Sequence, residues 1–178
     1  VLDSPKGAVD VMDCLGSVRV VDCNVIGAPA QHNDTGFLEA EGGGPAEYVR
    51  DCAEFAVIDS TLRGGRGQNT ATIVGGPGGD GAWLRFVESA TIMRSIVRGG
   101  DGGTSDDSGD GGDGVFVQGI TELHLDYSAC VGGDGPDADP SFPLTGGDGG
   151  NGLRAGLQKV FDFQSVFQAG SFGLGIGF

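Results

Sequence analysis

The sequence predicts an all-β solenoid of about five coils, a fold in which short strands from successive repeats stack on one another. One pattern occurs five times: an apolar residue, any residue, a second apolar residue, two residues, a small residue, any residue and a third apolar residue. The small residue recurs at spacings of 37, 35, 33 and 37 residues, and such a period is typical of repeat proteins. Glycine supplies 37 of the 178 residues, which disfavours helices and favours short strands joined by turns.

Each repeat is expected to contain two short strands or more before its loop. The pattern is carried, in chain order, by Val18-Val20-Cys23-Val25, Phe55-Val57-Ser60-Leu62, Ala90-Ile92-Ser95-Val97, Leu123-Leu125-Ser128-Cys130 and Phe161-Phe163-Ser165-Phe167. The last instance aligns with the others if it has lost one residue before its serine. A further strand is expected upstream of each pattern, at Val9 to Cys14, Val49 to Cys52, Ala82 to Val87, Val115 to Ile120 and Leu153 to Leu157. Because side chains alternate between the faces of a strand, the apolar residues of the pattern are predicted to face inward.

Two of the repeats resemble those of a known superfamily. Val57-Ile58-Asp59-Ser60-Thr61-Leu62-Arg63-Gly64 and Thr91-Ile92-Met93-Arg94-Ser95-Ile96-Val97-Arg98-Gly99 are similar to repeats of the right-handed parallel β-helix, or pectate-lyase-like, superfamily. The resemblance extends from about Gly7 to Gly170 and implies a right-handed parallel β-helix of the glycine-rich surface or secreted type. It implies no particular activity, because the superfamily includes lyases, hydrolases, phage spikes, adhesins and passive surface proteins.

Composition limits the organisation and the partners of the chain. The repeats fill it, so residues 1–178 are expected to form a single domain that is a fragment or processed part of a longer repeat protein. The formal net charge of −15 argues against nucleic acid as a partner. Since no apolar run approaches the length of a spanning helix, no membrane span is expected.

Aspartates concentrate in long glycine-rich loops that are predicted to leave one corner of the coil and to form one acidic ridge. The candidate ligands in these loops are Asp101, Asp106, Asp107, Asp110, Asp113, Asp134 and Asp137. Carboxylates on glycine turns suit hard cations, so weak, non-specific calcium binding is one hypothesis. The specific glycine-rich calcium repeat is not matched, because Trp83, Phe116 and Arg154 stand where its aspartate belongs. Aspartate that forms turns and aids solubility is the alternative. The loops are either flexible or closely stacked.

One outward line of the predicted coils carries Tyr48, Trp83 and Phe116, flanked by Arg50 and Arg85. Exposed rings with guanidinium neighbours can bind sugar rings and acidic groups. The same residue types are favoured in protein interfaces, and a loop folded over the rings would instead make them local core. All three alternatives remain open from the sequence.

No catalytic residue is assigned, and an enzyme is disfavoured. Polysaccharide hydrolysis uses two carboxylates across a groove. The outward lines of the upstream strands carry one carboxylate, that of Asp10. The carboxylates that the pectate-lyase-like resemblance would imply for catalysis have no matching positions in this chain.

Cys14 and Cys52 occupy equivalent positions in the first two repeats. Equivalent Cα atoms of neighbouring coils are expected about 4.8 Å apart, which a disulfide tolerates. A Cys14–Cys52 disulfide is therefore one hypothesis, and a reduced stack of two thiols is the other. Cys23 and Cys130 are expected to be buried thiols.

The sequence favours an extracellular structural or interaction protein: a surface scaffold, an adhesin or a self-assembling fibre subunit. Repeats occupy nearly the whole chain, and open sheet edges at the ends of a solenoid can pair with another copy. The expected partners are further copies of the chain or components of a cell surface or matrix. The alternative is a carbohydrate-binding or polysaccharide-lyase-like module that uses the aromatic line.

Overall fold

The computed structural model of the chain describes residues 7–30, 41–69, 74–105, 107–136 and 146–171, and the side chains at 121, 157 and 158 lie outside this description. The described residues form an all-β parallel solenoid of about four turns. Its strands are β1 (Val9–Val21), β2 (Asn24–Ile26), β3 (Glu47–Ile58), β4 (Thr61–Arg63), β5 (Ala82–Met93), β6 (Ile96–Arg98), β7 (Val115–Asp126), β8 (Ala129–Val131), β9 (Leu153–Phe163) and β10 (Val166–Gln168). Each of the five predicted repeats supplies one long and one short strand. The number of turns, about four, is slightly lower than the five coils that the sequence predicts.

The strands form two parallel five-stranded sheets. The long strands lie in the order β1-β3-β5-β7-β9, and the short strands lie in the order β10-β8-β6-β4-β2. Equivalent residues of successive repeats are direct neighbours, as in the series Val18, Phe55, Ala90 and Leu123. Each inward position therefore becomes a file that runs along the axis of the solenoid.

Each long strand is bent, and it is not divided into two. The sequence placed an upstream strand and the start of the pattern in separate strands, which was wrong: one strand runs through both. In β1, β3, β5 and β7 the bend is made by a residue with positive φ, namely 55° at Asp13, 53° at Asp51, 53° at Phe86 and 72° at Gly119. This left-handed conformation costs little at glycine and at aspartate, which explains two of the residue types at this corner.

The core confirms the predicted inward positions of the second, third and fourth repeats. Phe55, Val57 and Leu62 are buried, as are the residues that align with them in the next two repeats. A serine file borders this core: the backbone N–H of Ser60 donates to Oγ of Ser95 at 3.1 Å, and that of Ser95 donates to Oγ of Ser128 at 3.2 Å. The recurring small residue is therefore a hydrogen-bonding link between successive coils.

The fifth repeat departs from the predicted alignment. Leu123 pairs with Val160 and Leu125 pairs with Asp162, so Phe161 and Phe163 fall on the outward positions. The missing residue lies earlier, at the bend, because Gln118 pairs with Gly156 while Ile120 pairs with Leu157. Gly119 thus has no counterpart in β9, and the repeat keeps its spacing from there to Ser165.

The glycine-rich loops are closely stacked. We call residues 27–30, 64–69, 99–105, 132–136 and 169–171 the outgoing arms, and residues 41–46, 75–81, 107–114 and 146–152 the return arms. Backbone hydrogen bonds of 2.7–2.9 Å connect the two kinds of arm in alternation, from Ala28 through Gly44, Gly65, Gly79, Gly100, Gly112, Gly133 and Gly150 to Gly170. A Cβ atom added at Gly112 would lie 2.1 Å from the carbonyl oxygen of Gly79, so glycine is required there by close approach.

Burial in the arms has a period of three. In the outgoing arm 64–69, Gly64, Gly65, Gly67 and Gln68 are buried, whereas the third residues of each triplet, Arg66 and Asn69, are exposed. Three residues per turn is the period of the polyproline II conformation. One residue in three can therefore carry a side chain outward while the others pack against neighbouring arms.

Candidate functional surfaces

The predicted aromatic line exists, although its first ring is buried. Tyr48, Trp83 and Phe116 are neighbours in register, with ring centroids 5.3 Å and 5.6 Å apart. Tyr48 is 1% exposed, so it belongs to the local core, whereas Trp83 and Phe116 are half-buried. The Arg154 guanidinium lies 4.3 Å from the Phe116 ring centre and ends the line with a cation–π contact. The accessible part is therefore shorter than the sequence predicts.

The flanking arginines also lie in register, and both have local contacts. Arg50 pairs with Arg85 on the next strand. Nε of Arg50 lies 2.9 Å from a carboxylate oxygen of Asp51, and the Arg85 guanidinium lies 5.1 Å from the Phe86 ring centre. These contacts hold the two guanidinium groups against their own strands. Fewer of their N–H groups are therefore available to bind a separate ligand.

Carboxylates of the return arms hydrogen-bond along the solenoid axis. Asp80 accepts a hydrogen bond from the backbone N–H of Asp113 at 2.8 Å, and Asp113 accepts one from that of Asn151 at 2.9 Å. In a second file, Asp110 accepts one from the backbone N–H of Asp148 at 2.9 Å. Each carboxylate thus satisfies a backbone donor on the next arm of the stack.

The outgoing arms repeat this arrangement in a separate file. Asp101 accepts a hydrogen bond from the backbone N–H of Asp134 at 3.2 Å, and Asp134 accepts one from that of Ser171 at 2.8 Å. Arg98 bridges Asp101 and Asp134 at 3.1 Å and 3.0 Å, and Arg63 contacts Asp101 at 2.9 Å. The expected single ridge is therefore a set of separate files. Two of them are partly neutralised by arginine, since Nε of Arg154 also lies 3.1 Å from a carboxylate oxygen of Asp113.

Local surroundings move the pKa values of two of these carboxyl groups in opposite directions. Burial raises the pKa of Asp80 to about 6, and the hydrogen bond from the Asp113 backbone opposes that rise. The backbone and hydroxyl hydrogen bonds from Ser171 lower the pKa of Asp134, with a smaller contribution from Arg98. These carboxylates are parts of the arm structure, and their ionisation depends on their neighbours.

The structure brings only some of the candidate calcium ligands together. Asp107 lies on an isolated bridge to Val74, and Asp106 and Asp137 lie outside the described residues. Within the described ranges, no group of three or more His, Cys, Asp or Glu side chains is arranged to hold a metal ion. The neighbouring aspartates are arranged as hydrogen-bonded files.

A second aromatic surface lies on the outward face of the last coil and was not predicted. The His124 and Phe161 rings stack at 4.7 Å with an interplanar angle of 9°, and the Tyr127 and Phe163 rings meet edge to face at 5.3 Å. A groove of about 450 Å³ lies beside them, and its lining includes Asp126, the register partner of Phe163. The two phenylalanines are visible in the sequence, but the predicted alignment of the fifth repeat places them inward.

Glu47 is a buried acid that was also not predicted from the sequence. It lies at the start of β3, in register with Val9 and Ala82, and is fully buried. Neither carboxylate oxygen has a hydrogen-bond partner among the described residues, and burial raises the pKa of Glu47 to about 7. This carboxyl group is therefore a source of pH-dependent stability where the arms join the coil.

The cysteines occupy the expected repeats. Cys14 and Cys52 are direct register partners on β1 and β3, and both are thiols in the structure. Cys130 is buried as predicted, whereas Cys23 is exposed. Cys23 lies in the first coil, which has a neighbouring coil on one side only among the described residues.

No protein-family model matches the chain, and no curated protein or solved structure is significantly similar to it. Among the described residues, no helix is long and apolar enough to cross a membrane.

Proposed function

We propose that the chain is an extracellular structural or interaction β-solenoid, a surface scaffold or adhesin that belongs to the right-handed pectate-lyase-like superfamily. The hydrogen-bonded arms and the stacked coils connect all five repeats, from Ala28 to Gly170. A body of this kind can hold binding surfaces at fixed distances along its axis. Its partners would be components of a cell surface or matrix.

The observation that carries this proposal is that carboxylates of the arms accept hydrogen bonds from the backbone of neighbouring arms. Asp80, Asp113 and Asp134 each accept a backbone hydrogen bond from a neighbouring coil or arm. Catalysis or specific cation binding needs carboxylates that converge on a ligand. Here they are instead spaced along the axis, each with its own backbone donor, which supports a structural role.

The Asp110 file separates the structural role of the carboxylates from weak calcium binding. Asp110 is exposed and accepts the Asp148 backbone N–H through Oδ1. Asp110→Asn keeps an acceptor oxygen but loses the charge, and Asp110→Ala loses both. We expect Asn to leave the free energy of unfolding unchanged and Ala to lower it by about 1 kcal/mol, with or without calcium. A calcium-dependent melting temperature that both variants abolish would instead favour the cation hypothesis.

A fibre built by continuing the coils is less favoured. Gln168 is the register partner of Val131, so the residues that follow them, Ala169 and Gly132, occupy equivalent positions. The last outgoing arm therefore has alanine where the other outgoing arms have glycine. A Cβ atom at Gly132 would lie 1.9 Å from the Gly150 carbonyl oxygen of the following return arm. The Ala169 methyl group would meet a further return arm in the same way, and Asp162 would place a carboxylate in the core beneath a further coil.

The second candidate is a carbohydrate-binding or polysaccharide-lyase-like module. The groove beside Phe161 and Phe163 favours it, because exposed rings next to carboxylates can hold a sugar. This groove would replace the Tyr48 line as the binding surface, since Tyr48 is buried.

Light scattering and electron microscopy of the purified chain, together with a polysaccharide depolymerisation assay with and without calcium, test these proposals. We expect discrete particles and no product release. Release that is lost in Asp126→Asn, with Asp148→Asn as the matched surface control, would overturn the structural role in favour of the enzyme. Ordered filaments would show that Ala169 does not prevent a further coil from stacking, and they would favour a self-assembling fibre subunit.

A further inference from the structure

A pair of thiols lies at one level of the solenoid, one in the first coil and one in the second. Cys14 on β1 and Cys52 on β3 are register partners, and each follows a bend residue with positive φ, Asp13 or Asp51. Neighbouring strands of a sheet lie about 4.8 Å apart, and a disulfide tolerates Cα separations of about 4.4–6.8 Å. The spacing of register partners therefore lies within the range that a disulfide tolerates.

The two sulfur atoms differ in access. Cys52 is 2% exposed, and its register partner on the other side is the buried Val87. Cys14 is half-buried, because no other described strand pairs with β1 on its far side. Burial raises the pKa of the Cys52 thiol, and the Cys14 side chain acts on it as a hydrogen-bonding neighbour. Cys14 is thus the thiol that an external reagent reaches first.

We propose that Cys14 and Cys52 form a redox latch that fastens the first coil to the second. The oxidant is a low-molecular-weight disulfide. The Cys14 thiolate attacks one sulfur of that disulfide and releases one reagent thiolate, which leaves a mixed disulfide on Cys14. The Cys52 thiolate then attacks the Cys14 sulfur and releases the second reagent thiolate. The two cysteines lose two electrons and two protons, and the reagent becomes two thiols.

The latch acts where the solenoid is least supported. The inward residues of β1 are only partly buried, while those of β3 and β5 are fully buried. Coils at the edge of a repeat array open at lower free energy than central ones. A covalent link across the 37 residues between Cys14 and Cys52 limits how far the first coil can separate from the second. This inference does not depend on the proposed function.

The test is oxidation of the purified chain with oxidised glutathione, followed by mass spectrometry and thermal unfolding. We expect the loss of two hydrogen masses, a Cys14–Cys52 linked peptide, and a melting temperature about 10 °C above that of the reduced chain. Hydrogen exchange in β1 should slow in the oxidised form.

Cys52→Val is the matched variant, because valine already occupies this file position at Val87. It should fold, form no cross-link and keep one melting temperature in both redox conditions. Cys23→Ser, which changes an exposed thiol in the same coil, should retain the shift. Persistent alkylation of both Cys14 and Cys52 after oxidation, a link through Cys23, or an unchanged melting temperature on cross-linking would each overturn the latch.

Discussion

The coil and the arms of this solenoid are both stacks of chain segments, but different atoms hold them together. In the coil, side chains such as Val57, Ile92 and Leu125 fill the space between two sheets. In the arms, backbone packs on backbone, and glycine occurs where a Cβ atom would meet a carbonyl group of the next arm. The coil thus depends on the shape of its side chains, and the arms depend on glycine wherever their backbones approach most closely.

This difference predicts different tolerance to substitution. A packed apolar core accepts changes of one methyl group at modest cost, because neighbouring side chains can adjust. Backbone atoms that are hydrogen-bonded on both sides cannot adjust without breaking several bonds at once. Substitutions of equal size should therefore have unequal effects in the two regions.

The largest effect is expected for one methyl group added to the arms. Gly112→Ala places a Cβ atom 2.1 Å from the Gly79 carbonyl oxygen, so we expect a loss of about 4 kcal/mol in the free energy of unfolding. Gly16→Ala is the matched control, because nothing lies within 4 Å of its added Cβ atom. Urea denaturation of both variants measures the difference. Equal stability of the two variants would show that the arms are not closely packed.

The next effect concerns Glu47, which lies where a return arm enters the coil. Burial raises its pKa from 4.5 to about 7, so the folded state binds the proton more tightly than the unfolded state does. The stability associated with the neutral acid is complete below pH 4.5 and is lost as the pH rises to about 7. Glu47→Gln carries no charge at this position at any pH. From pH 4 to pH 8, its free energy of unfolding should therefore rise by about 3 kcal/mol relative to that of the unmodified chain.

Denaturation of the Glu47→Gln variant and the parent chain at a series of pH values tests this expectation. Glu54→Gln, an exposed glutamate on the same strand, is the control and should show no such trend. A constant difference between Glu47→Gln and the parent chain at every pH would mean that Glu47 is not buried without a partner.

The serine file tests the hydrogen bonds that tie one coil to the next. Oγ of Ser95 accepts a hydrogen bond from the buried backbone N–H of Ser60 and donates one to the Met93 carbonyl oxygen at 2.7 Å. Ser95→Ala leaves the Ser60 N–H without its partner, which should cost about 2 kcal/mol and accelerate exchange of that amide. Ser17→Ala, at an exposed position of β1, is the control. Unchanged protection of the Ser60 amide would contradict this role.

The sequence was sufficient for the coil because the coil is encoded by side chains. Ser60, Ser95 and Ser128 align at a constant position, and the apolar residues around them reveal the inward face. The same reasoning failed in the fifth repeat. Phe161 and Phe163 fit the apolar pattern better than Val160 and Asp162, although the latter pair faces the core. Since the missing residue could be placed at either of two bends, only the register of β9 decides.

The arms were less predictable because their contacts are made by backbone atoms. The exposed third residues, such as Arg66 and Asn69, are visible in the sequence as a period of three. Which arm lies beside which is not visible, since any glycine can donate to any carbonyl group. Glu47 was not predicted for a different reason. The predicted strand begins at Val49, whereas β3 begins at Glu47, so the Glu47 side chain was not assigned to a face.

The smallest effect is expected for one methyl group removed from the coil. Ile92 is fully buried in the core, so Ile92→Val should lower the free energy of unfolding by about 1 kcal/mol. Ile96→Val, on the adjacent short strand, removes the same methyl group from a half-exposed side chain and should change stability by less. Urea denaturation of both variants alongside Gly112→Ala compares one carbon atom in each setting. If Ile92→Val costs as much as Gly112→Ala, the coil is as intolerant as the arms, and the distinction between side-chain and backbone packing fails.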